Sequence, residues 1–330
     1  MEEEKKIYPL KFCPIRDERP WGVEEFKLAD LGYRDSLIRE GWLAGNSIGE
    51  LMDTYIDRIV GDNVYDYYGR QFPVCVRLLE VRGKMPLQVH PDDETAQQRY
   101  DLLGKEKLWY ILRAGMDAKL HVGFRKSTDA TDFYESCLDG GADRLLNELK
   151  PEPGQSLRIP AGVPHCADGD VDILEIAESS PLDFCLHGRG QEVSEDQFDP
   201  ALSFADALDF IDFGRFVPEV ASGSLLADVP QFKIRRISLG EPVIYGGKGE
   251  SDSFVLFSCV SGRAVLQPLS TDGGSGSFTL EAGDSLLVPA ECQDFSLVPA
   301  DRDTVLLETT TYRVEPDRYI NPDVPAHLPE

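Results

Sequence analysis

Apolar and polar residues in this chain mostly form short runs broken by Gly, Pro and Asp. Residues 72–81, 108–112, 118–123 and 172–176 have the alternation or the compact apolar content of strands. Three segments are spaced like helices: residues 94–103, residues 131–148 with a break expected at Gly140-Gly141, and residues 204–211 with Ser203 as N-cap and Asp206 three residues on. A second β-rich section begins near Gln231, with strands expected at 254–260 and 278–280 around a loose loop at 270–277. Short strands with turn punctuation predict an all-β sandwich or jelly roll carrying helical insertions.

The chain also repeats itself. Gly154-Gln155-Ser156-Leu157-Arg158-Ile159-Pro160-Ala161 and Gly283-Asp284-Ser285-Leu286-Leu287-Val288-Pro289-Ala290 share the pattern G-x-S-L-x-[IV]-P-A, the mark of two copies of one barrel segment. The first copy is followed by His165, whereas residues 231–314 contain no histidine. With 330 residues, two domains are expected. Gly, Pro and small residues place the boundary at 215–230, between an N-terminal domain of residues 1–214 and a C-terminal domain of residues 231–330.

Two motifs carry candidate chemistry. Leu87-Gln88-Val89-His90-Pro91-Asp92-Asp93 places an amide and an imidazole two residues apart on a strand, hence on one face. Ile159-Pro160-Ala161-Gly162-Val163-Pro164-His165 places a second imidazole just after a Pro/Gly turn. Neutral imidazole and amide oxygen suit zinc or another divalent transition metal. Asp92 and Asp93 read as caps of the following helix. Trp109 and Tyr110 read as barrel filling more readily than as a sugar-stacking surface. His121 and His187 read as structural, and His327 as exposed. The loop Gly246-Gly247-Lys248-Gly249 lacks the strand–loop–helix context of a phosphate cradle.

Composition narrows the partners. A net charge of −26 repels phosphate backbones and argues against nucleic acid, while leaving room for a small anion in a locally basic pocket. No apolar run is long enough to span a bilayer, and the N-terminal residues lack a signal-peptide core, so a cytoplasmic protein is expected. The seven cysteines form no C-x-x-C pair and read as reduced thiols; Cys166, beside His165, should face the other side of its strand.

Taken together, these segments resemble type I mannose-6-phosphate isomerase of the compact bacterial kind, a two-cupin protein. Gln88-Val89-His90-Pro91-Asp92-Asp93 is the most specific of them. Arg19-Pro20-Trp21-Gly22, Gly104-Lys105-Glu106-Lys107-Leu108-Trp109-Tyr110, the Pro160-to-His165 turn, Leu174-Glu175-Ile176 with Ser179-Ser180, and residues 198–213 extend the likeness through most of the chain. The resemblance implies two cupin-like jelly-roll barrels. It also implies interconversion of mannose 6-phosphate and fructose 6-phosphate through a cis-enediol, with zinc held by Gln88, His90, a glutamate and His165. The implied catalytic set is Lys105, Glu175 as acid/base and Arg189 as phosphate holder. The substrate would be a small sugar phosphate and the protein a monomer or homodimer.

The glutamate does not transfer cleanly. Aligned on Gly104-Lys105 and Trp109-Tyr110, the ligand position is Lys107, and the carboxylate falls one residue earlier, at Glu106. Either a bulge turns Glu106 inward, or the Lys107 ammonium fills the metal position and the site holds no metal. Pro86 and Cys185 also depart from the family pattern. These departures leave open a non-catalytic sugar-phosphate binder on the same scaffold.

Overall fold

A computed structural model describes residues 5–187, 204–246, 253–269, 276–292 and 294–311. Its contacts divide the chain into two compact units. One comprises Ile15–Phe26 and Val74–Ser222; the other comprises Met1–Pro14, Lys27–Pro73 and Gly223–Glu330. The break at Ser222/Gly223 falls inside the expected 215–230 boundary. Residues 27–73, however, group with the C-terminal section rather than with an N-terminal domain of residues 1–214.

The first unit is an antiparallel jelly roll. Its larger sheet runs in the order Ile15–Arg19, Gly22–Leu28, Val74–Val81, Val171–Glu178, Lys107–Ala114, Ser156–Ile159 and Val220–Ala221. The smaller runs in the order Phe184–His187, Leu87–Val89, His165–Asp168, Lys119–Phe124 and Leu146–Leu149. Trp109, Ile111, Leu157, Ile159 and Ile173 of the larger sheet meet Leu120, Val122 and Ala167 of the smaller in one buried core. The other face of the smaller sheet is also buried. There Leu87, Val89, Phe124, Cys166 and Phe184 pack with Phe133 and Cys137 of the helix Ala130–Leu138. Burial on both faces explains why these strands read as apolar runs. Cys166 faces that outer layer, as expected, and all seven cysteines are free thiols.

The helix at Asp93–Tyr100 is capped by Asp92, whose carboxylate accepts from the Thr95 amide at 2.8 Å. The helix expected at 131–148 is a correction. It stops at Leu138, passes through Gly140-Gly141 and a 3-10 turn, and ends as the strand Leu146–Leu149, because Leu146 and Leu149 are needed as sheet partners of Phe124 and Leu120. The helix expected at 204–211 is a single turn, Phe204–Ala207; its proposed N-cap, Ser203, lies outside the described residues.

The second unit repeats the sheet pair. One sheet runs Leu225–Asp228, Lys233–Leu239, Thr304–Thr310, Val255–Ser261, Ser285–Val288; the other runs Val243–Tyr245, Phe295–Pro299, Arg263–Pro268, Phe278–Glu281. Phe257, Leu266, Leu286, Val288, Leu297 and Leu306 fill its core. This unit also carries two helices that the apolar pattern had not announced, Ile48–Val60 and Asp62–Tyr68. The first starts at a capping box: Glu50 N–H donates to the Ser47 hydroxyl at 3.1 Å, and the Ser47 amide donates back to the Glu50 carboxylate at 2.8 Å.

Candidate active site

Side chains alternate across a strand, so the core register also says which polar residues point inward. Trp109 and Ile111 belong to the core of the first barrel, so Lys107 shares their face; Ile173 does the same for Glu175, and Leu79 for Arg77. On the smaller sheet Val122 faces inward and pairs with His165, which in turn pairs with Gln88. One apolar barrel therefore carries a charged and polar layer on its inner surface.

Two glycines set this layer. Gly162 has φ +77° and no room for a side chain, a Cβ there falling 2.7 Å from the Phe210 carbonyl oxygen; its amide donates to the His90 carbonyl at 2.8 Å, tying together the loops that carry the two histidines. Gly104 lies against the backbone of Asp92, where a Cβ would come within 2.3 Å, and this close approach brings the Lys105 amide to the Pro91 carbonyl at 3.0 Å.

His90 and His165 are fully buried, with ring centroids 5.2 Å apart. His165 Nδ1 donates to the Val163 carbonyl oxygen at 2.9 Å, which leaves Nε2 as the acceptor, and the Lys107 ammonium donates to that Nε2 at 3.4 Å. His90 has no hydrogen-bond partner on either ring nitrogen among the described residues, and the Gln88 Oε1 atom is likewise buried and unpartnered. Burial, reinforced by Lys107, holds His90 well below the ordinary histidine range and lowers His165 to about 3. Both rings are neutral.

Lys105 and Lys107, two residues apart, hold the two oxygens of Asp183, each at 2.7 Å. Arg77 reaches the same carboxylate at 3.3 Å, Glu24 at 2.6 Å, and Glu175 through two nitrogens. Glu175 completes its pairing with Trp109 Nε1–H at 2.8 Å and lies 3.6 Å from the Lys107 ammonium. Burial pushes Glu175 up, but Arg77 and Lys107 outweigh it and bring it to about 2. Burial lowers Lys105 to about 8 against the opposing pull of Asp183.

The structure thus brings together Gln88, His90, His165, Lys105 and Glu175 of the residues read from sequence. It does not bring Glu106. No bulge turns that carboxylate inward: it accepts from Arg158 at 2.6 Å, and its amide donates to Glu178 at 2.8 Å, while Lys107 takes the inward register. Glu175 is placed in the barrel as expected, but both its oxygens are committed to Arg77 and Trp109, so it is a fixed anion rather than a free acid/base. Arg189 and His327 lie outside the described residues. Trp109 is fully buried filling, edge-on to His165 at 5.4 Å.

Asp183, Arg77 and Glu24 were missed by the sequence reading. One signal was available. Two lysines on one face of a buried strand require a buried carboxylate, and Asp183 lies in the segment after Ser179-Ser180 that must return beside them.

The zinc that the resemblance implies can be tested against these donors. Gln88 Oε1, His90 and His165 Nε2 are suitable ligand atoms, and the first two lack partners. The fourth position is an ammonium. A zinc–nitrogen bond is about 2.0–2.1 Å, so zinc on the His165 lone pair would have to share a 3.4 Å gap with the Lys107 nitrogen. Lys107 has no exposed surface and is fixed by Asp183. With Lys107 in this place the residues do not fit a divalent ion. A separate group of potential ligands, His121, Asp143 and Asp168, lies within 4.8 Å of one another. Register puts His121 opposite Cys166, on the sheet face away from His165.

The two repeated sheet pairs, the first with a polar layer on its inner surface, define an all-β protein of two cupin-like barrels. No protein-family model matches the chain. It is 24% identical over 324 residues to a Bacillus subtilis protein named as a probable mannose-6-phosphate isomerase, with 88% of this chain and 96% of that one covered. It is 27% identical over 211 residues to a second mannose-6-phosphate isomerase of that organism, covering 57% and 63%. The crystal structure of mannose 6-phosphate isomerase from Bacillus subtilis superposes with a TM-score of 0.74 at 20% identity, covering 92% of this chain and 99% of that one. The fold is therefore that of mannose-6-phosphate isomerase. No helix among the described residues is long and apolar enough to cross a membrane.

Proposed function

We propose that this protein is an aldose–ketose isomerase that interconverts mannose 6-phosphate and fructose 6-phosphate through a cis-enediol. The observation that carries this reading is the buried pair His90 and His165 beside Lys105 and Lys107. Buried imidazole nitrogens and an amide oxygen with no protein partner are costly unless something else satisfies them. Sugar hydroxyls do so, donating to the Gln88 oxygen and one His90 nitrogen, while a hydroxyl or carbonyl oxygen accepts from the other His90 nitrogen. The two relatives described above carry the name of this activity, and the likeness to the first extends over nearly the whole chain.

In this reading the C1 and C2 oxygens lie against His90, Gln88 and the lysine pair. Proton transfer between C2 and C1 develops negative charge on those oxygens, and preorganised positive charge lowers that barrier. Lys105, brought to about 8 by burial, is the group able to give and take a proton near neutral pH. Glu175 holds Arg77 and Lys107 in place, and Arg189 holds the phosphate. The protein acts in the cytoplasm on free sugar phosphate, as a monomer or homodimer, without nucleic acid.

A coupled assay that converts fructose 6-phosphate product to a chromophore tests this directly. Mannose 6-phosphate should be turned over, and His90→Ala should lower kcat by about 100-fold or more with unchanged thermal stability within 1–2 degrees, roughly the noise of such a comparison. Absence of interconversion in purified protein, with and without added zinc, sinks the reading.

A further inference from the structure

We propose that the Lys107 ammonium stands in place of a catalytic divalent cation, so that this isomerase works without metal at the His90/His165 site. The inference rests on the isomerase reading above and adds the identity of its electrophile.

Three observations support it. The first is position. Lys107 donates to the one free nitrogen of His165 and lies on the inward face with Trp109 and Ile111, deep in the barrel, without solvent contact. The second is anchoring. The ammonium is 2.7 Å from Asp183 and 3.6 Å from Glu175, so moving Lys107 aside would leave Lys105 and Arg77 alone to balance both carboxylates. The third is charge. Arg77, Lys105 and Lys107 face Glu24, Glu175 and Asp183, three cations against three anions. Arg19, which also reaches Glu24, has Asp17 as a partner of its own. A glutamate ligand plus a divalent ion would bring net charge +1 to this position, and a lysine brings the same +1 in one side chain. The replacement leaves the cluster neutral. Adding a divalent ion to the lysine form would bury an excess of two positive charges, which is strongly unfavourable.

The consequence for the reaction is electrostatic. The ammonium has three donors, two directed at Asp183 and His165. In this proposal the third, 3.6 Å from Glu175, turns to an enediolate oxygen, and the ammonium acts as a fixed positive charge in a dry site.

Metal content and turnover test the proposal separately. The wild-type protein is purified through mild chelator, assayed for bound metal by mass spectrometry, and titrated with Co(II) while the visible ligand-field bands of a histidine-bound ion are followed. His90→Ala is the control that removes one imidazole of the site. Expected is no metal whose binding depends on His90, and turnover unchanged by chelator. Lys107→Met should lose about 100-fold or more in kcat, with no restoration by zinc. Lys107→Glu should acquire one His90-dependent Co(II) with those bands, and a thermal midpoint that rises when zinc is added. Stoichiometric, His90-dependent metal in the wild type overturns the proposal whether or not the enzyme turns over. Metal-free protein without turnover refutes the isomerase reading and with it the catalytic role of Lys107, and leaves only its occupation of the metal position standing. Should Lys107→Glu fail to fold, the wild-type titration still decides.

Discussion

Crossing the sheet from the shared G-x-S-L-x-[IV]-P-A strand yields one ladder twice. In the first barrel Leu157 pairs with Trp109, Trp109 with Glu175, and Glu175 with Arg77. In the second Leu286 pairs with Phe257, Phe257 with Glu308, and Glu308 with Arg235. A glutamate with an arginine at its side is thus part of the plan of both barrels, one of which has no histidine. Each glutamate also accepts from an aromatic side chain, by different routes: Glu175 from Trp109, its ladder neighbour, at 2.8 Å, and Glu308 from Tyr245 of the opposite sheet at 2.6 Å. The comparison assigns Glu175 to the scaffold. The chemistry lies one rung further along, where Ile159 pairs with Lys107 and the equivalent Val288 pairs with Val255. At that rung the first barrel buries a charge and the second carries a partly buried valine.

The contrast can be broken most severely at Asp183. It is the carboxylate shared by Lys105, Lys107 and Arg77, and the cations hold it well below the ordinary carboxylate range against its burial. Asp183→Ala should cost about 3–5 kcal/mol, because it leaves buried positive charge uncompensated. Urea unfolding measures this; a loss under about 1 kcal/mol would mean that the lysines find water and that the cluster is not sealed. The matched pair Glu175→Gln and Glu308→Gln comes next. Glu175 is fully buried, whereas Arg235 is 57% exposed and 3.7 Å from Glu308. Losses of about 3 kcal/mol for the first and about 1 kcal/mol for the second are expected, and equal losses would erase the distinction between a sealed and a wet rung.

Much of this was legible in the sequence because it rests on local pattern. The strands around residues 74–81, 107–114 and 171–178 announce themselves by apolar content, and the duplicated octapeptide pointed to two barrels. Gln88 and His90 could be placed on one face because their spacing is two. The position of Glu106 could not be decided from spacing, since a bulge and a regular strand predict opposite faces; the pairing of Lys107 with Ile159 settles it. Asp183, Arg77 and Glu24 were hidden for another reason. Their partners are 53 to 106 residues away in the chain, and only the sheet order brings them together. The helix Ile48–Val60 carried a readable start signal in Ser47 and Glu50, which strand-focused reading passed over.

The smallest expected effect lies on the outward side of the same strand. Stepping back one residue from Lys107 and Val255 equates Glu106 with Phe254, while the octapeptide equates Arg158 with Leu287. The first barrel thus has an ion pair where the second has two apolar side chains, both fully buried. Burial raises Glu106 to about 7 despite Arg158. A carboxyl that is easier to protonate in the folded chain than in the unfolded one favours folding below the unfolded value, near 4.5, and that contribution is lost as pH rises through about 7. Glu106→Gln removes this titration. Its stability relative to wild type should therefore rise by about 1 kcal/mol between pH 5 and pH 8, less than the shift alone implies because Arg158 is half exposed to solvent. Chemical denaturation at the two pH values measures it. A relative stability that falls over this interval would mean that Arg158 outweighs burial and holds Glu106 ionised, making this outward pair a stabilising counterpart of Phe254 and Leu287 rather than a strained one.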